Sequence, residues 1–274
     1  MNFILLKFLI AKFFKKIIYF INKLFPASRY RTRYFNRFFL RTEKVSIIDI
    51  GSYGGYLDYW KRSDIKIKLS FDPIEDRKSS KKEIIFKSAL WDKNKEINLY
   101  FTKGGGSDTM IHDFENLLLN KKKLELRVNP KPIENFICNA GVTHTKKIYA
   151  RTLDSILEQI QIKFNFLKID AQGAEMKILK GCEKYLTSDD CLGLLVETYT
   201  IKMFKGQSLI SELSEYLKQF NFIPVLHYPS HGSFGCSNDT IFIKTGIKDP
   251  KLNTILKTYN LLRWGDGYYE SEIS

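Results

Sequence analysis

The chain has 274 residues, and 44% of them are hydrophobic, which suffices for the core of one large α/β domain or two small ones. Basic residues outnumber acidic ones by 44 to 30, and the net charge of +14 favours an anionic partner such as nucleic acid, phospholipid or a phosphorylated glycan. The four cysteines form no CxxC pair and have no histidine at zinc spacing, so we expect reduced thiols in a cytoplasmic protein and neither a disulfide nor a metal site.

The positive charge is concentrated in residues 1–44, which carry eleven Lys and Arg residues and a single acid, Glu43. This segment contributes +10, eleven minus one, and leaves about +4 for the rest of the chain. Within residues 1–25, lysines cut the apolar runs to well below the roughly 20 residues that a membrane span needs. No small-residue cleavage site follows a clean apolar core, so a signal peptide fits poorly as well.

Residues 1–25 instead have the pattern of a basic amphipathic helix. The basic side consists of Lys12, Lys15, Lys16 and Lys23, and the opposite side of Phe3, Leu6, Ile10, Phe13, Ile17, Ile21 and Leu24. This pattern is typical of a helix that lies in an anionic membrane interface. Two alternatives stay open: a helix that packs on the protein's own body or on a second copy, and a segment that binds nucleic acid.

The segment SIIDIGSYGG at 46–55 predicts a strand, Val45–Ile50, followed by a glycine-rich turn. Gly51, Gly54 and Gly55 would let the backbone turn sharply and approach a ligand at the N-terminus of the next helix. The spacing is not GxGxxG, so it does not specifically indicate a dinucleotide. A tight turn without a ligand is the alternative.

A second strand, Ile65–Phe71, ends in Asp72 and Pro73. Asp72 lies about 20 residues beyond the first glycine, where an acidic residue commonly holds a pair of ribose hydroxyls. A carboxylate suits this role because it can accept both hydrogen bonds at once. The alternative is an ordinary turn aspartate before proline, but the pairing with the glycine turn favours the ribose site.

The middle of the chain contains a third strand, Glu83–Lys87, and an alternating strand, Glu96–Thr102. KGGGSDTM at 103–110 would be a loop that folds over a ligand or a plain hairpin connection. The polar, lysine-rich stretch that follows is interpreted as an insertion near the active face that carries substrate selectivity. Its two histidines, His112 and His144, are expected at the surface.

The most informative stretch is NFLKIDAQGAEMKILKG at 165–181. An apolar run from Phe164 to Ile169 predicts a strand, and Asp170 follows at its end. After a turn of small residues, Glu175 opens a helix that Gly181 ends as a C-cap. Since ligands of open α/β sheets sit at the carboxyl ends of the strands, Asp170 is expected to point into a site. A role as a helix N-cap or turn former is the alternative.

The remaining elements complete an alternating pattern of strands and helices. They are helices at Arg151–Gln161 and Leu209–Phe220, and strands at Cys191–Glu197, Phe222–His227 and Thr240–Lys244. The pattern predicts an α/β fold with a mostly parallel, doubly wound sheet. We place an N-terminal extension at 1–44, a domain at 45–248 with an insertion at about 103–150, and a tail at 249–274.

These pieces resemble the FkbM family of S-adenosylmethionine-dependent methyltransferases over about 45–244. The matching stretches are IIDIGSYGGY at 47–56, FDP at 71–73, SALWDKNKEINLYFT at 88–102, RTLDSI at 151–156, FLKIDAQGAEMKILKG at 166–181, LLVETYTIKMFKGQSL at 194–209 and NDTIFIK at 238–244. The stretch around Asp170 is the most specific, because the DxGxxGG turn is shared with many methyltransferases. The resemblance implies a Rossmann-like, seven-stranded class I methyltransferase domain with S-adenosylmethionine at the end of the first strand.

The resemblance also implies which residues bind the cofactor. They are Asp49, Gly51, Ser52, Tyr53, Gly54, Asp72, Pro73, Ser88, Ala89 and Asp170. Asp49 with the first two glycines would shape the methionine side, and Asp72, where family members often have Glu, would take the ribose hydroxyls. Ser88 and Ala89 would lie near adenine, and Asp170 would face the sulfonium and the acceptor. Gln172 stands where many family members have Glu.

S-adenosylmethionine would carry the activated methyl group, so the protein would supply orientation, exclusion of water and, for a hydroxyl acceptor, a base. Asp170 is the first candidate for that base, and the alternates are Glu197, His227 and His231. We expect O-methylation of a sugar hydroxyl in a glycan or glycolipid, reached at the cytoplasmic face of the membrane through residues 1–25. The alternatives are an RNA methyltransferase that uses the basic N-terminus, and a non-catalytic scaffold of the same fold.

Overall fold

A computed structural model of the chain describes residues 42–55, 60–125, 133–228, 236–259 and 261. The amphipathic helix expected within residues 1–25 and the candidate His231 lie outside the described residues. The chain divides into two compact units: Lys44–Ile247 forms one, and Met1–Glu43 with Lys248–Ser274 forms the other. In the part of the chain that is described, no helix has both the length and the apolar character needed to cross a membrane.

The larger unit is built from strands and helices that alternate along much of the chain. Its described strands are β1 (Val45–Ile50), β2 (Ile65–Phe71), β3 (Glu83–Phe86), β4 (Lys95–Thr102), β5 (Ser107–Asp108), β6 (Val142–Ala150), β7 (Phe166–Ile169), β8 (Gly193–Tyr199), β9 (Phe222–His227) and β10 (Ser237–Lys244). Its described helices are α1 (Phe114–Leu119), α2 (Lys121–Glu125), α3 (Ile133–Ala140), α4 (Leu153–Ile160), α5 (Glu175–Lys180), α6 (Glu183–Thr187) and α7 (Ile210–Lys218).

The main sheet has seven strands in the order β3-β2-β1-β7-β8-β10-β9. All neighbouring pairs are parallel except the two that involve β10, which runs antiparallel to β8 and β9. The predicted seven-stranded, mostly parallel sheet is therefore confirmed. Because β2 and β3 lie on one side of β1 and β7 on the other, the strand order reverses at β1, and a crevice opens at the carboxyl ends of β1 and β7.

The sheet forms the core because its central strands are buried on both faces. Every residue of β1 and of β8 is buried, as expected for parallel strands covered by helices. Helix α4 begins where the Thr152 hydroxyl accepts a hydrogen bond from the Ser155 amide at 3.2 Å, and it turns Leu153 and Ile156 into the core. Cys182, Cys191 and Cys236 are buried, and Cys138 is exposed.

The insertion folds as a separate three-stranded antiparallel sheet in the order β5-β4-β6, accompanied by helices α1 to α3. The predicted strand at Glu96–Thr102 is present as β4, and its partners among the described strands, β5 and β6, both belong to this small sheet. The stretch at 103–110 is a hairpin connection, because the Thr102 amide donates to the Gly106 carbonyl at 2.9 Å and β5 returns along β4. Strand β6 was not predicted, since most of its side chains are exposed and show no apolar alternation.

His112 does not lie at the surface, and the expectation for this residue is wrong. Its side chain is only 10% exposed. Its ring stacks on that of Phe114, with centroids 6.0 Å apart, and lies tilted against that of Phe204, with centroids 4.4 Å apart. The sequence did not indicate this burial, because two of the aromatic partners, Phe136 and Phe204, come from distant segments of the chain. His144 is exposed as expected, and its ring stacks on Phe101.

The smaller unit contains one described helix, α8 (Pro250–Thr258). Asp249 caps it by accepting a hydrogen bond from the Lys251 amide at 2.8 Å, and Pro250 occupies its first turn. The Thr254 hydroxyl donates to the Glu43 carbonyl at 2.7 Å. This last hydrogen bond joins the described ends of the two chain segments that make up this unit.

Candidate active site

The ends of β1 and β7 approach each other closely, and Gly51 makes this approach sterically feasible. Its φ is +76°, and a Cβ atom there would lie 1.8 Å from the carbonyl oxygen of Asp170. The Gly51 amide donates to the Phe71 carbonyl at 2.9 Å, and the Asp170 amide donates to the Ile50 carbonyl at 3.1 Å. A side chain at position 51 would force these strand ends apart.

A cavity of about 220 Å³ opens at this point, at the carboxyl ends of β1, β2 and β7. Its wall combines apolar side chains with a few polar groups, as small-molecule sites commonly do. It is lined by Ile50, Gly51, Phe71, Asp72, Pro73, Ser88, Ala89, Leu90, Leu99, Ser107, Asp108, Thr109, Asp170, Ala171, Gln172 and Ile178. We call it the cofactor cavity. The structure thus brings together six of the ten residues implied as cofactor ligands, and leaves out four of the glycine-turn set.

Asp49 is the first of those four, and it lies in the core of the sheet. It is fully buried, and its carboxylate pairs with Lys68 Nζ at 3.2 Å and with Lys168 Nζ at 3.5 Å. The two lysines project from the neighbouring strands β2 and β7 and supply the positive charge that a buried carboxylate requires. Asp49 therefore supports β1 from within the sheet, where the resemblance implied a residue of the pocket wall.

The other three residues, Ser52, Tyr53 and Gly54, form the turn that leaves β1. Ser52 is buried, and its Oγ has no hydrogen-bond partner among the described residues. Tyr53 is exposed. Arg77 braces the turn by donating to the Ser52 carbonyl at 3.1 Å, and its guanidinium is held by Glu75 at 2.7 Å. Sequence reasoning missed Arg77, because nothing local to it indicates a contact with the glycine turn.

Asp72 is buried at the end of β2 and lines the cofactor cavity. Its Oδ1 accepts a hydrogen bond from the Ile74 amide at 2.9 Å. Burial raises the pKa of this carboxyl, and the Ile74 hydrogen bond opposes that rise. The carboxyl can accept further hydrogen bonds from hydroxyl groups in the cavity, which is the role that the sequence implied for it.

Asp170 and Glu197 are joined at the carboxyl ends of β7 and β8 by a single side chain. The Gln172 amide Nε2 donates to Asp170 Oδ1 and to Glu197 Oε2, both at 3.0 Å. Gln172 sits in a left-handed conformation with a φ of +49°, in the turn between β7 and α5. The side chain of Asp170 is 41% exposed, so it can reach both the cofactor cavity and solvent.

Glu197 is in a different state from Asp170. Burial raises its pKa to about 9, with a further contribution from the negative charge of Asp170, so Glu197 is protonated at neutral pH. The Tyr199 hydroxyl donates to Glu197 Oε2 at 2.6 Å, and Gln172 donates to the same oxygen. Glu197 is therefore a poor base at neutral pH.

Glu175 stabilises the turn that carries Asp170 and Gln172. Its Oε1 accepts hydrogen bonds from the amides of Ala171 and Gly173, both at 3.1 Å. Burial raises its pKa to about 7. A Cβ atom at Gly173 would lie 2.7 Å from the Phe204 ring, so the turn is also packed from outside. Glu175 thus shapes the loop from within the core and does not line the cavity.

His227, a sequence candidate for the base, does not line the cofactor cavity. Its Nδ1 lies 3.0 Å from the Thr240 hydroxyl, which in turn lies 2.7 Å from the Thr198 hydroxyl. This hydroxyl pair connects β9, β10 and β8. Among the described residues, no group of three or more His, Cys, Asp or Glu side chains is arranged to hold a metal ion.

Three residues of the cavity wall, Ser107, Asp108 and Thr109, lie in the stretch 103–110 that the sequence offered as a loop over a ligand, but none of them was named as a site residue. Strand β5 is only two residues long, and the sequence KGGGSDT gives no apolar periodicity that would place it. Asp108 is largely buried, which raises its pKa to about 6. Its Oδ2 lies 4.0 Å from His112 Nδ1, and burial lowers the pKa of that histidine to about 4.

Comparison with known proteins gives a family and two distant structural likenesses. The model of the methyltransferase FkbM domain matches residues 49–224. A putative tRNA (m1A22) methyltransferase of Streptococcus pneumoniae, Sp1610, is 12% identical, with 84% of this chain and 77% of that chain covered and a TM-score of 0.36. TrmK of M. capricolum, in complex with S-adenosyl-homocysteine, is 10% identical, with 84% and 87% covered and a TM-score of 0.35. No curated protein matches the chain.

The residues of the cofactor cavity fit S-adenosylmethionine. Asp72 offers a buried carboxyl for the ribose, Ser88 and Ala89 line the same cavity, and Gly51 allows the backbone to come close. The family match spans well over half of the chain and includes β1, β7 and β8 with the turn that carries Asp170. The protein belongs to the FkbM family of S-adenosylmethionine-dependent methyltransferases.

Proposed function

We propose that the protein is an O-methyltransferase that acts on a sugar hydroxyl of a glycan or glycolipid. The observation that carries the proposal is the half-exposed carboxylate of Asp170 at the edge of the cofactor cavity, held by the Gln172 amide at 3.0 Å. A neutral hydroxyl needs a base to accept its proton, whereas many nitrogen or sulfur acceptors do not. The nearest other carboxyl joined to this network, Glu197, is protonated and cannot take that role at neutral pH.

Asp170, Gln172 and Glu197 have different roles in the proposed reaction. S-adenosylmethionine, when bound, supplies an activated methyl group that moves from its sulfur to the acceptor oxygen. Asp170 accepts the proton of the acceptor hydroxyl as the new carbon–oxygen bond forms, and Gln172 fixes the direction of that carboxylate. Protonated Glu197 anchors the other side of Gln172 without adding a second negative charge beside Asp170.

The proposal is tested by measuring transfer of a labelled methyl group from S-adenosylmethionine to a panel of glycans and glycolipids. Asp170→Asn keeps the shape of the side chain but removes its basicity, and we expect turnover to fall about a hundredfold or more. Its affinity for S-adenosylmethionine should stay within about threefold of wild type. Asp190→Asn, at a half-buried position beside Lys163, is the matched control and should retain full turnover.

Three results would refute the assignment. Turnover in Asp170→Asn close to that of wild type would show that another group accepts the proton. Transfer to RNA but to no hydroxyl of a glycan would favour the alternative of an RNA methyltransferase, and S-adenosylmethionine binding without transfer to any acceptor would favour the scaffold.

We also propose that residues 1–25 bring the enzyme to an anionic membrane surface on the cytoplasmic side. The support is the separation of lysines and bulky apolar residues on opposite sides of the helical projection. Each lysine near such a surface contributes about 1 kcal/mol. Reversing three charges, with Lys12→Glu, Lys15→Glu and Lys16→Glu, should lower binding to phosphatidylglycerol vesicles at least about a hundredfold. If the variant binds these vesicles as tightly as the wild type does, the proposal is refuted.

A further inference from the structure

The insertion contains a second cavity, which is larger than the cofactor cavity. It measures about 390 Å³ and lies between the turn at 102–106 and helix α3. The turn is fastened to the end of that helix, since the Gly104 amide donates to the Asn139 carbonyl at 2.8 Å and the Lys103 amide donates to the Gly141 carbonyl at 3.0 Å. Both walls are therefore fixed by backbone hydrogen bonds before any ligand arrives.

The chemistry of this cavity is neutral and polar, with an aromatic side. Its lining includes the hydroxyl residue Thr102, the amide residues Asn135 and Asn139, and the rings of Phe136 and His112. None of the described residues that line it is Lys, Arg, Asp or Glu. Burial lowers the pKa of His112 to about 4, so this ring is uncharged at neutral pH. Neutral donors and acceptors beside an aromatic ring suit a neutral sugar, whereas a phosphate would require cationic partners.

The two cavities are adjacent, although no described residue lines both. Asp108 lines the cofactor cavity, and its Oδ2 lies 4.0 Å from Nδ1 of His112, which lines the second cavity. The His112 ring also lies 4.4 Å, centroid to centroid, from the Phe204 ring, and Phe204 packs against Gly173 in the turn that carries Asp170. A ligand in the second cavity is thus next to the elements that hold the proposed base.

We propose that this second cavity is an acceptor subsite that binds a neutral sugar unit of the glycan, next to the unit that is methylated. The inference rests on the proposed function for the identity of the acceptor. It explains why the insertion is built as a folded sheet with helices and not as a short connection: the added elements provide a site for the part of the acceptor that does not react.

The experiment compares the full-length wild type with the double variant Asn135→Ala/Asn139→Ala. Both asparagines are exposed, and the contact of residue 139 with Gly104 is made by its backbone, so the fold should tolerate the change. Asn98→Ala, at an exposed position on β4 outside both cavities, is the matched control. Saturation-transfer NMR measures the binding of four probes, the methyl glycosides of glucose, galactose, mannose and N-acetylglucosamine. Glucose 6-phosphate and an RNA oligonucleotide are added as competitors.

We expect at least one neutral glycoside to bind the wild type and the control, and its affinity to fall about tenfold in the double variant. Affinity for S-adenosylmethionine should be the same in all three proteins. With a glycan that the enzyme methylates, the double variant should have a higher KM for that glycan and an unchanged kcat, because the subsite does not touch the reacting atoms.

Equal glycoside binding in the double variant and the wild type would overturn the subsite, as would the absence of binding by every neutral glycoside, or displacement by the RNA oligonucleotide. The experiment distinguishes failure of the subsite proposal from failure of the proposed function. If the wild type methylates a glycan and the double variant does so with the same KM, the subsite is refuted and the proposed function stands. If glycosides bind in the manner expected but no hydroxyl is methylated, the sugar site stands and the reaction is refuted.

Discussion

Replacing Gly51 by Ala should separate the ends of β1 and β7 and weaken the cofactor site. The left-handed backbone costs a non-glycine residue about 1 kcal/mol. The new Cβ would lie 1.8 Å from the Asp170 carbonyl oxygen, so the strands must move apart by more than an ångström to reach ordinary contact. That movement strains the two hydrogen bonds Gly51 N to Phe71 O and Asp170 N to Ile50 O, each with a net contribution of about 1 kcal/mol. The total loss should be about 3 kcal/mol.

Gly246 provides the control, because it has the same backbone conformation without the close contact. Its φ is +79°, and a Cβ atom there would meet nothing within 4 Å. Gly246→Ala should therefore lose only the conformational part, about 1 kcal/mol. Urea unfolding gives the free energy of unfolding of both variants, and calorimetric titration gives their affinity for S-adenosylmethionine.

The difference between the two variants isolates the contribution of the strand contact. We expect Gly51→Ala to be less stable than Gly246→Ala by about 2 kcal/mol. It should also bind S-adenosylmethionine at least about tenfold more weakly, whereas Gly246→Ala should bind it as the wild type does. If the two variants match in stability and in affinity, the close approach of β1 and β7 is not what shapes the site.

Three further predictions concern the carboxyl groups and their amide partner. Asp72→Ala removes the acceptor for the ribose hydroxyls and should weaken S-adenosylmethionine binding at least about tenfold by calorimetry; unchanged affinity would refute the ribose assignment. Gln172→Leu removes both amide hydrogen bonds and should lower kcat for a glycan acceptor about tenfold or more while cofactor affinity is kept, which steady-state kinetics would check. Glu197 binds a proton in the folded state up to about pH 9 but in the unfolded state only up to about 4.5, so its contribution should make the wild type lose stability as pH rises between these values. In Glu197→Gln, the free energy of unfolding measured with urea should fall less between about pH 5 and 9 than it does in the wild type. A pH profile identical to that of the wild type would contradict the burial of this carboxyl.

The features that the sequence predicted well are those with strong local patterns. The apolar run before Asp170, the small-residue turn and the helix that Gly181 ends all depend on neighbours within a few residues. The same holds for β1 and its glycine turn. In these segments the hydrophobic period, the turn residues and the caps agree with each other, and tertiary contacts then reinforce them.

The features that sequence reasoning missed depend on contacts between distant segments. His112 was expected at the surface, yet Phe204 and Phe136 bury it from other parts of the chain. Asp49 sits one residue from the strand end, where a pocket residue is expected, but lysines from two neighbouring strands neutralise it within the sheet. A signal for the second case was present, because Lys168 interrupts an otherwise apolar strand and Lys68 lies in the buried half of β2, and both strands pair with β1.

The buried carboxylate of Asp49 also determines which fragments of the chain can form a stable sheet. Its charge is balanced by one lysine from β2 and one from β7, strands that lie on opposite sides of β1 and are separated by about a hundred residues in the chain. A fragment that lacked either strand would bury this carboxylate with half of its positive charge missing, a loss of roughly 3–5 kcal/mol. Neither half of the sheet is therefore a self-sufficient piece, and a split or permuted version of the chain should fold only when both flanking strands are present.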